Sequence, residues 1–280
     1  MPQADAELPV ARVLSTLRET VRQHGRVVLE APPGAGKTSL VPSALLEEGW
    51  PGEILVLQPR RVATRAVAAM LSRRIGGELG DTVGYQIRFE KKVSKRTRLR
   101  VITEGILTAW LQRDPELTGV SAVILDEFHE RSLQADLALA LLREVQDALR
   151  PDLKLVVMSA TLDAEPIARY LDGCPVVSCE GRQHPLQITY AAKDSDRPIG
   201  ARVARAVRDI TAEMDAGESP EGSVLAFLPG VREIDATIRA LGSAVVGREV
   251  LPLHGRLSAS DQDRVLEPGA RPRIIVATNI

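Results

Sequence analysis

The chain has two cysteines, no apolar stretch long enough to cross a bilayer and no excess of either charge. Each shortage argues against a class of function. Cys174 and Cys179 have no histidine at a metal-ligand spacing, which speaks against a zinc site or a disulfide framework and leaves two plain thiols. Without a membrane-length run or the charged, apolar and cleavable parts of a secretory leader, the expected compartment is the cytoplasm. The 36 Lys and Arg nearly cancel the 37 Asp and Glu, for a net charge of -1. The chain therefore does not attract polyanions in bulk, and any nucleic-acid contact must be placed locally.

What is present supports folded domains. In a chain of 280 residues, 44% hydrophobic content is enough for two cores, which sets aside a disordered or fibrous protein. From Arg26 onward short apolar runs alternate with longer amphipathic stretches, the mark of an α/β fold with parallel central sheets. The runs are Val27 to Leu29, Ile54 to Leu57, Ala122 to Leu125 and Leu155 to Met158. Between them, Leu133 to Leu149 reads as a packing helix with Leu133, Leu137, Ala140, Leu141 and Val145 on its apolar face. The text turns polar and irregular from Cys179 to His184, so a first domain is expected over 1–181 and a second over 182–280. The second series holds a helix, Ile199 to Met214, and runs at Val224 to Leu228, Val250 to Leu253 and Ile274 to Ala277. It stops beside its last run, so the second domain is expected to be incomplete.

The strongest chemical signal is Gly34-Ala35-Gly36-Lys37-Thr38, placed after one strand and opening a helix. Glycines let backbone approach a polyphosphate, amide groups and the helix N-terminus face it, and Lys37 brings a cation to the β- and γ-phosphates. Thr38 offers a hydroxyl to Mg²⁺. The strict pattern wants glycine at 31 where this chain has Ala31, so the match is to a shortened form. Downstream, Val123-Ile124-Leu125 delivers Asp126 and Glu127 to the carboxyl end of a second buried strand. Alone, such a pair is more often a helix N-cap. After a P-loop it reads as a metal-holding Asp126 and a Glu127 that polarises the attacking water.

In order along the chain stand Ala31-Pro32-Pro33-Gly34-Ala35-Gly36-Lys37-Thr38, Gln58-Pro59-Arg60-Arg61-Val62-Ala63, Thr103-Glu104-Gly105, Asp126-Glu127-Phe128-His129-Glu130-Arg131, Ser159-Ala160-Thr161, Phe227-Leu228-Pro229-Gly230 and Ala277-Thr278-Asn279-Ile280. This series resembles motifs I, Ia, Ib, II, III, IV and the opening of V of the DEAH-box branch of superfamily 2 helicases. Phe128 stands where alanine is usual, and the first and fourth blocks together are especially similar to bacterial HrpB-like helicases. The resemblance covers nearly the whole chain from Leu8. It implies two RecA-like domains, ATP or several nucleoside triphosphates with Mg²⁺, and a largely sequence-neutral grip on single-stranded RNA, with DNA left open.

Residue by residue, the resemblance implies Pro33 to Ser39 at the nucleotide, with Arg65 as a weak candidate for stacking on its base. Thr38, Asp126 and Glu127 are the expected Mg²⁺ group, and Lys37, Glu127 and His129 the catalytic one. Ser159 and Thr161 would link nucleotide state to domain closure, though a helix N-cap before Asp163 is equally sound. Arg60, Arg61, Thr103 and Gly105 would face nucleic acid from the first domain, and His254 and Thr278 from the second. Taken alone, Arg60-Arg61 is also a solvated helix start and His254 an ordinary turn residue. The basic stretch Arg88 to Arg100 is expected as a solvated loop or hairpin rather than a phosphate patch. The family's motif VI, with its arginine fingers, lies beyond motif V, so slow turnover by a monomeric motor core is expected of this chain. The alternatives are a nucleotide-gated RNA-binding module without motor activity, and an unrelated P-loop ATPase or small-molecule kinase.

Overall fold

The computed structural model describes residues 7–160, 164–181, 187–190, 196–242, 245, 247–267, 269 and 271–279. The chain divides into two compact units, Met1–Pro185 and Leu186–Ile280. The expected change of domain, at 181/182, borders residues outside the described set.

Among its described residues the first unit carries eight strands: β1 (Arg26–Glu30), β2 (Glu53–Gln58), β3 (Val83–Ile87), β4 (Glu90–Lys92), β5 (Leu99–Thr103), β6 (Val120–Leu125), β7 (Lys154–Ser159) and β8 (Val176–Ser178). They lie in the order β4-β3-β5-β2-β6-β7-β1-β8. All pair in parallel except the β3–β4 hairpin. The four apolar runs read from the sequence are β2, β6, β7 and β1, neighbours at the centre of the sheet. Six helices cover its faces: α1 (Leu14–His24), α2 (Lys37–Leu46), α3 (Arg61–Arg74), α4 (Glu104–Leu111), α5 (Leu133–Ala148) and α6 (Ala164–Tyr170).

Alternation along each strand sorts the core into two layers. Val27, Leu29, Ile54, Val56, Ile124 and Val156 pack with Leu17, Leu40 and Leu71 of α1, α2 and α3. Val28, Leu55, Leu57, Val123, Leu125 and Val157 pack with Leu107, Leu142 and Ile167 of α4, α5 and α6. Each such side chain contributes about 1.5–3 kcal/mol on burial. A parallel sheet covered on both faces has one free place for chemistry, the rim at its strand carboxyl ends.

The expected inner face of α5 is corrected by the structure. Ala135, Ala138, Leu139, Leu142, Val145 and Gln146 are buried, while Leu133 is 82% and Leu137 39% exposed. The helix is apolar on two adjoining stripes, so periodicity alone does not choose between them. Two polar contacts accompany the observed choice. Ser132 caps the helix by accepting from the Ala135 N–H at 2.8 Å, and the buried Gln146 amide donates to Gly25 O and Leu153 O.

The second unit holds a parallel three-stranded sheet, ordered β10 (Glu249–Leu253), β11 (Arg273–Ala277) and β9 (Val224–Phe227). Helices α7 (Ile199–Asp215) and α8 (Val231–Leu241) bury Val224, Ala226, Ile274 and Val276 on one face. On the other face Val265 of α9 (Ala259–Leu266) packs on Leu251 and Leu253, while Leu225 and Phe227 of β9 are exposed. Among the described residues no helix is long and apolar enough to cross a membrane.

Candidate functional site

The sheet order lines the sequence blocks along one rim. From β1 through β7, β6 and β2 to β5, the carboxyl ends lead into the glycine-rich loop, Ser159, Asp126-Glu127, Arg60 and Thr103. Neighbouring registers tie them together: Glu30 pairs with Ser159, Leu57 with Leu125, and Gln58 with Thr103.

At the β1 end, residues 31–36 form the turn into α2. Gly36 has φ 91°, in the left-handed region glycine favours. A Cβ there would also lie 2.9 Å from the Leu8 side chain. A short turn, Pro9–Val13, supports the loop from outside, with the Val10 N–H donating to Ala35 O at 3.0 Å. On the opposite flank Gly181 lies so near Pro32 that a Cβ would meet its ring at 2.4 Å. Between these supports opens a pocket of about 680 Å³ lined by Pro9, Arg12, Pro33, Gly34, Glu180 and Gly181. No side chain caps the first turn of α2, so its amide groups are available to an anion. Ser39 turns inward and donates to Gly36 O at 3.1 Å.

Lys37 is 4% exposed, and its ammonium donates to Ala31 O at 2.6 Å and Pro32 O at 3.2 Å. Burial lowers its pKa, against the pull of Glu127 and Asp126. Such a cation, held by carbonyls, is set to meet a phosphate.

Asp126 is 5% exposed and accepts from Thr38 Oγ1 at 2.6 Å, from Gln58 Nε2 at 2.5 Å and from the Glu127 N–H at 2.9 Å. Burial is the largest influence and pushes its pKa up to about 6; the Thr38 and Gln58 bonds oppose the rise and the Glu127 charge adds to it. The oxygen donors Thr38, Asp126 and Glu127 suit a hard cation. Among the described residues no cluster of three or more His, Cys, Asp or Glu could hold a metal alone. Mg²⁺ takes one or two protein carboxylates and completes its shell with phosphate oxygens and water.

Glu127 (φ 52°, left-handed) and Arg131 (φ 41°, ψ 118°) both have positive φ, conformations costing a non-glycine residue about 1–3 kcal/mol each. They bracket the short turn Phe128–Glu130. His129 lies in that turn, its Nε2 3.3 Å from Glu127 Oε2. Its Nδ1 accepts from the Ala160 N–H at 3.2 Å, which sets the ring proton on Nε2, toward Glu127. Ser159 is buried at the end of β7, and its carbonyl accepts from the Ala31 N–H. Thr161 lies outside the described residues.

Arg65 is not among the residues gathered around the loop. Its guanidinium pairs with Glu90 at 3.3 Å, in the hairpin at the sheet edge opposite β1 and β8. Arg60 pairs with Glu130 at 2.6 Å, Arg61 is exposed at the start of α3, and Thr103 and Gly105 stand at the start of α4. In the second unit His254 and Thr278 follow the adjacent strands β10 and β11, with the Thr278 N–H donating to Leu253 O at 3.1 Å. The stretch Arg88 to Arg100 takes in the turn and second strand of the β3–β4 hairpin and runs into the first residues of β5. Cys174 and Cys179 are free thiols; burial pushes Cys174 up to about 11.

Sequence reasoning gave no role to Gln58, Glu130 or the Leu8–Val13 segment. Gln58 had a signal: it is polar at the end of an apolar run, and it is 3% exposed. The other two make contacts with residues distant in sequence, Glu130 with Arg60 and the Leu8–Val13 segment with the loop and core around Ala35 and Gly36, which local pattern does not reveal.

Comparison with known proteins agrees with the geometry. Residues 13–169 match the DEAD/DEAH box helicase family. The chain is 48% identical to the ATP-dependent RNA helicase HrpB of Escherichia coli (strain K12) over 98% of its own length and 34% of that protein's. It is 35% identical to the pre-mRNA-splicing factor ATP-dependent RNA helicase prp22 of Schizosaccharomyces pombe, over 98% of its length and 24% of that protein's. The crystal structure of Escherichia coli DEAH/RHA helicase HrpB superposes with a TM-score of 0.87 at 46% identity, covering 98% of this chain and 35% of that one. The chain thus spans about a third or less of the length of these relatives.

Proposed function

The chain belongs to the DEAD/DEAH box helicase family, and on that premise we propose that it is the ATP-driven motor core of an RNA helicase. In this reading residues 1–181 form the nucleotide-binding domain, and 182–280 belong to the second RecA-like domain. It acts as a monomer on single-stranded RNA in the cytoplasm. The observation that carries the reading is the buried Asp126, bonded to Thr38 and to the buried Gln58, beside the buried Lys37. Such a cluster of oxygen donors and a cation under a glycine-rich loop has an evident use with a metal-bound polyphosphate.

Residues 33–39 seat the phosphates through backbone amides and the α2 N-terminus, and Lys37 exchanges its carbonyl partners for phosphate oxygens. Mg²⁺, when bound, neutralises phosphate charge and is held by Thr38 and Asp126. Glu127 orients the attacking water and takes its proton. His129 steadies Glu127 and reports its setting to the Ser159-Ala160 turn through the Ala160 N–H. Arg60, Arg61, Thr103 and Gly105 hold the RNA backbone from the first domain; His254 and Thr278 do so from the second.

The test is ATP hydrolysis with and without single-stranded RNA or DNA, for the chain and its Glu127→Gln variant. Hydrolysis that RNA accelerates and Glu127→Gln abolishes supports the motor. Binding of RNA that changes with nucleotide, yet without hydrolysis by the chain, makes it a nucleotide-gated binding module instead.

A further inference from the structure

Arg60 and Glu130 come from different elements, the end of the β2 block and the turn after Glu127, yet their side chains meet. Arg60 Nη2 donates to Glu130 Oε2 at 2.6 Å, with the two side chains 28% and 38% exposed. Water reaches both partners, so another anion can as well.

Glu130 is tied closely to the chemistry. Its N–H donates to Glu127 O at 2.9 Å, closing the turn that also holds His129. On the other side, Arg131 donates to Asp136 at 2.9 Å and Ser132 to Glu104 at 2.7 Å. The segment from Glu127 to Ser132 is therefore anchored at the nucleotide end through His129 and Ala160. At its far end it is anchored on α4 and α5; in the middle Phe128 is buried in the core, while the half-exposed Glu130 reaches Arg60.

We propose that Glu130 occupies Arg60 in place of a nucleic-acid phosphate, and that a phosphate displaces it on binding, so that nucleic acid resets the turn carrying Glu127. This rests on the reading that Arg60 contacts the RNA backbone. Carboxylate and phosphate offer a guanidinium the same pair of acceptor oxygens, so the two compete for one fork. An exposed pair of this kind shifts an equilibrium only a few-fold, weak enough for a phosphate to displace. The released turn is bracketed by Glu127 and Arg131, both at positive φ. It holds strain that the lost tether no longer opposes.

The experiment is a double-mutant cycle on the full chain, using Glu130→Gln, Arg60→Gln and both together. Fluorescence anisotropy with a labelled oligouridylate is read across a salt series in the presence of Mg²⁺ and a non-hydrolysable ATP analogue. Glu130→Gln binds about two- to fivefold tighter, the size of an exposed ion pair. Arg60→Gln binds more weakly, with a salt slope shallower by about 0.7 for one lost phosphate contact on a single strand. With Arg60 replaced, Glu130→Gln has no further effect. The ratio of RNA-stimulated to unstimulated hydrolysis falls toward one in Glu130→Gln. Unchanged or weaker binding by Glu130→Gln, or the same gain with and without Arg60, overturns the exchange. Failure of the unmodified chain to bind the oligouridylate removes the functional reading itself, a result distinct from binding that ignores Glu130.

Discussion

The two halves of the first unit's rim are built on different terms. At β1, β7 and β6, Lys37, Asp126 and Ser159 are 4%, 5% and 1% exposed, and Lys37 and Asp126 are held by short bonds to neighbours. At β2 and β5, Arg60, Thr103 and Gly105 are half-buried or exposed, and Arg60 is engaged by a carboxylate that water can reach. A small polyphosphate has one shape, so its site can be assembled in advance and kept dry. A polymer backbone arrives in many registers, and the residues that hold it stay wet and exchangeable. Substitutions in the first half should cost orders of magnitude and those in the second small factors.

The largest expected effect is on turnover. Glu127→Gln should slow ATP hydrolysis by about 10³-fold, within the range for a lost general base, while nucleotide affinity stays within a few-fold. Single-turnover assays with chain in excess over ATP separate the two. Next is Lys37→Ala, which removes the buried cation and should weaken Mg²⁺–nucleotide binding by about 10²-fold, or about 2.7 kcal/mol, as read by calorimetric titration. Comparable losses from Arg60→Gln in the same assay would erase the contrast between the halves.

A third expectation concerns pH. The fold favours protonated Asp126, whose pKa is raised to about 6. Its contribution to stability is therefore present at acid pH and lost as pH rises through about 6. Mg²⁺–nucleotide binding needs the carboxylate, so affinity should fall as pH drops through the same range, roughly tenfold per unit below it. Asp126→Asn should make the ligand-free chain more stable above pH 6 by about 1–2 kcal/mol and abolish stabilisation by Mg²⁺–nucleotide, a trade of function for stability. The Thr38 hydroxyl and the Gln58 amide can each reverse donor and acceptor, so an Asn side chain keeps its partners. Urea unfolding at pH 5 and pH 8 checks this. The smallest effect is that of Arg60→Gln on RNA, a several-fold loss that is uniform across sequences.

The same contrast governs what could be read from the residues. That Lys37, Thr38 and Asp126 meet at one rim was legible because a glycine-rich loop and an acidic pair each follow an apolar run whose carboxyl end lies there. Strands β1, β2, β6 and β7 were legible because burial on both faces makes them continuously apolar. Strand β5 was not, because Arg100 interrupts it; that guanidinium pairs with Glu53 at 2.6 Å and lies 5.1 Å from the centre of Trp110. The inner face of α5 was misassigned because burial of Gln146 depends on the carbonyls of Gly25 and Leu153, one of them far away in sequence. Arg65 likewise pairs with a residue well removed along the chain, Glu90. Local chemistry shows in sequence; the partner that redirects a side chain does not.

The turn that carries Leu8 to Arg12 precedes the segment matched to the family, which starts at residue 13, yet Leu8 sits on Gly36 and Val10 bonds Ala35. Anyone trimming this protein to its recognisable domain, or fusing a tag directly ahead of that start, would cut away one wall of the phosphate loop. The loss would then be mistaken for a defect in the glycines and lysine themselves.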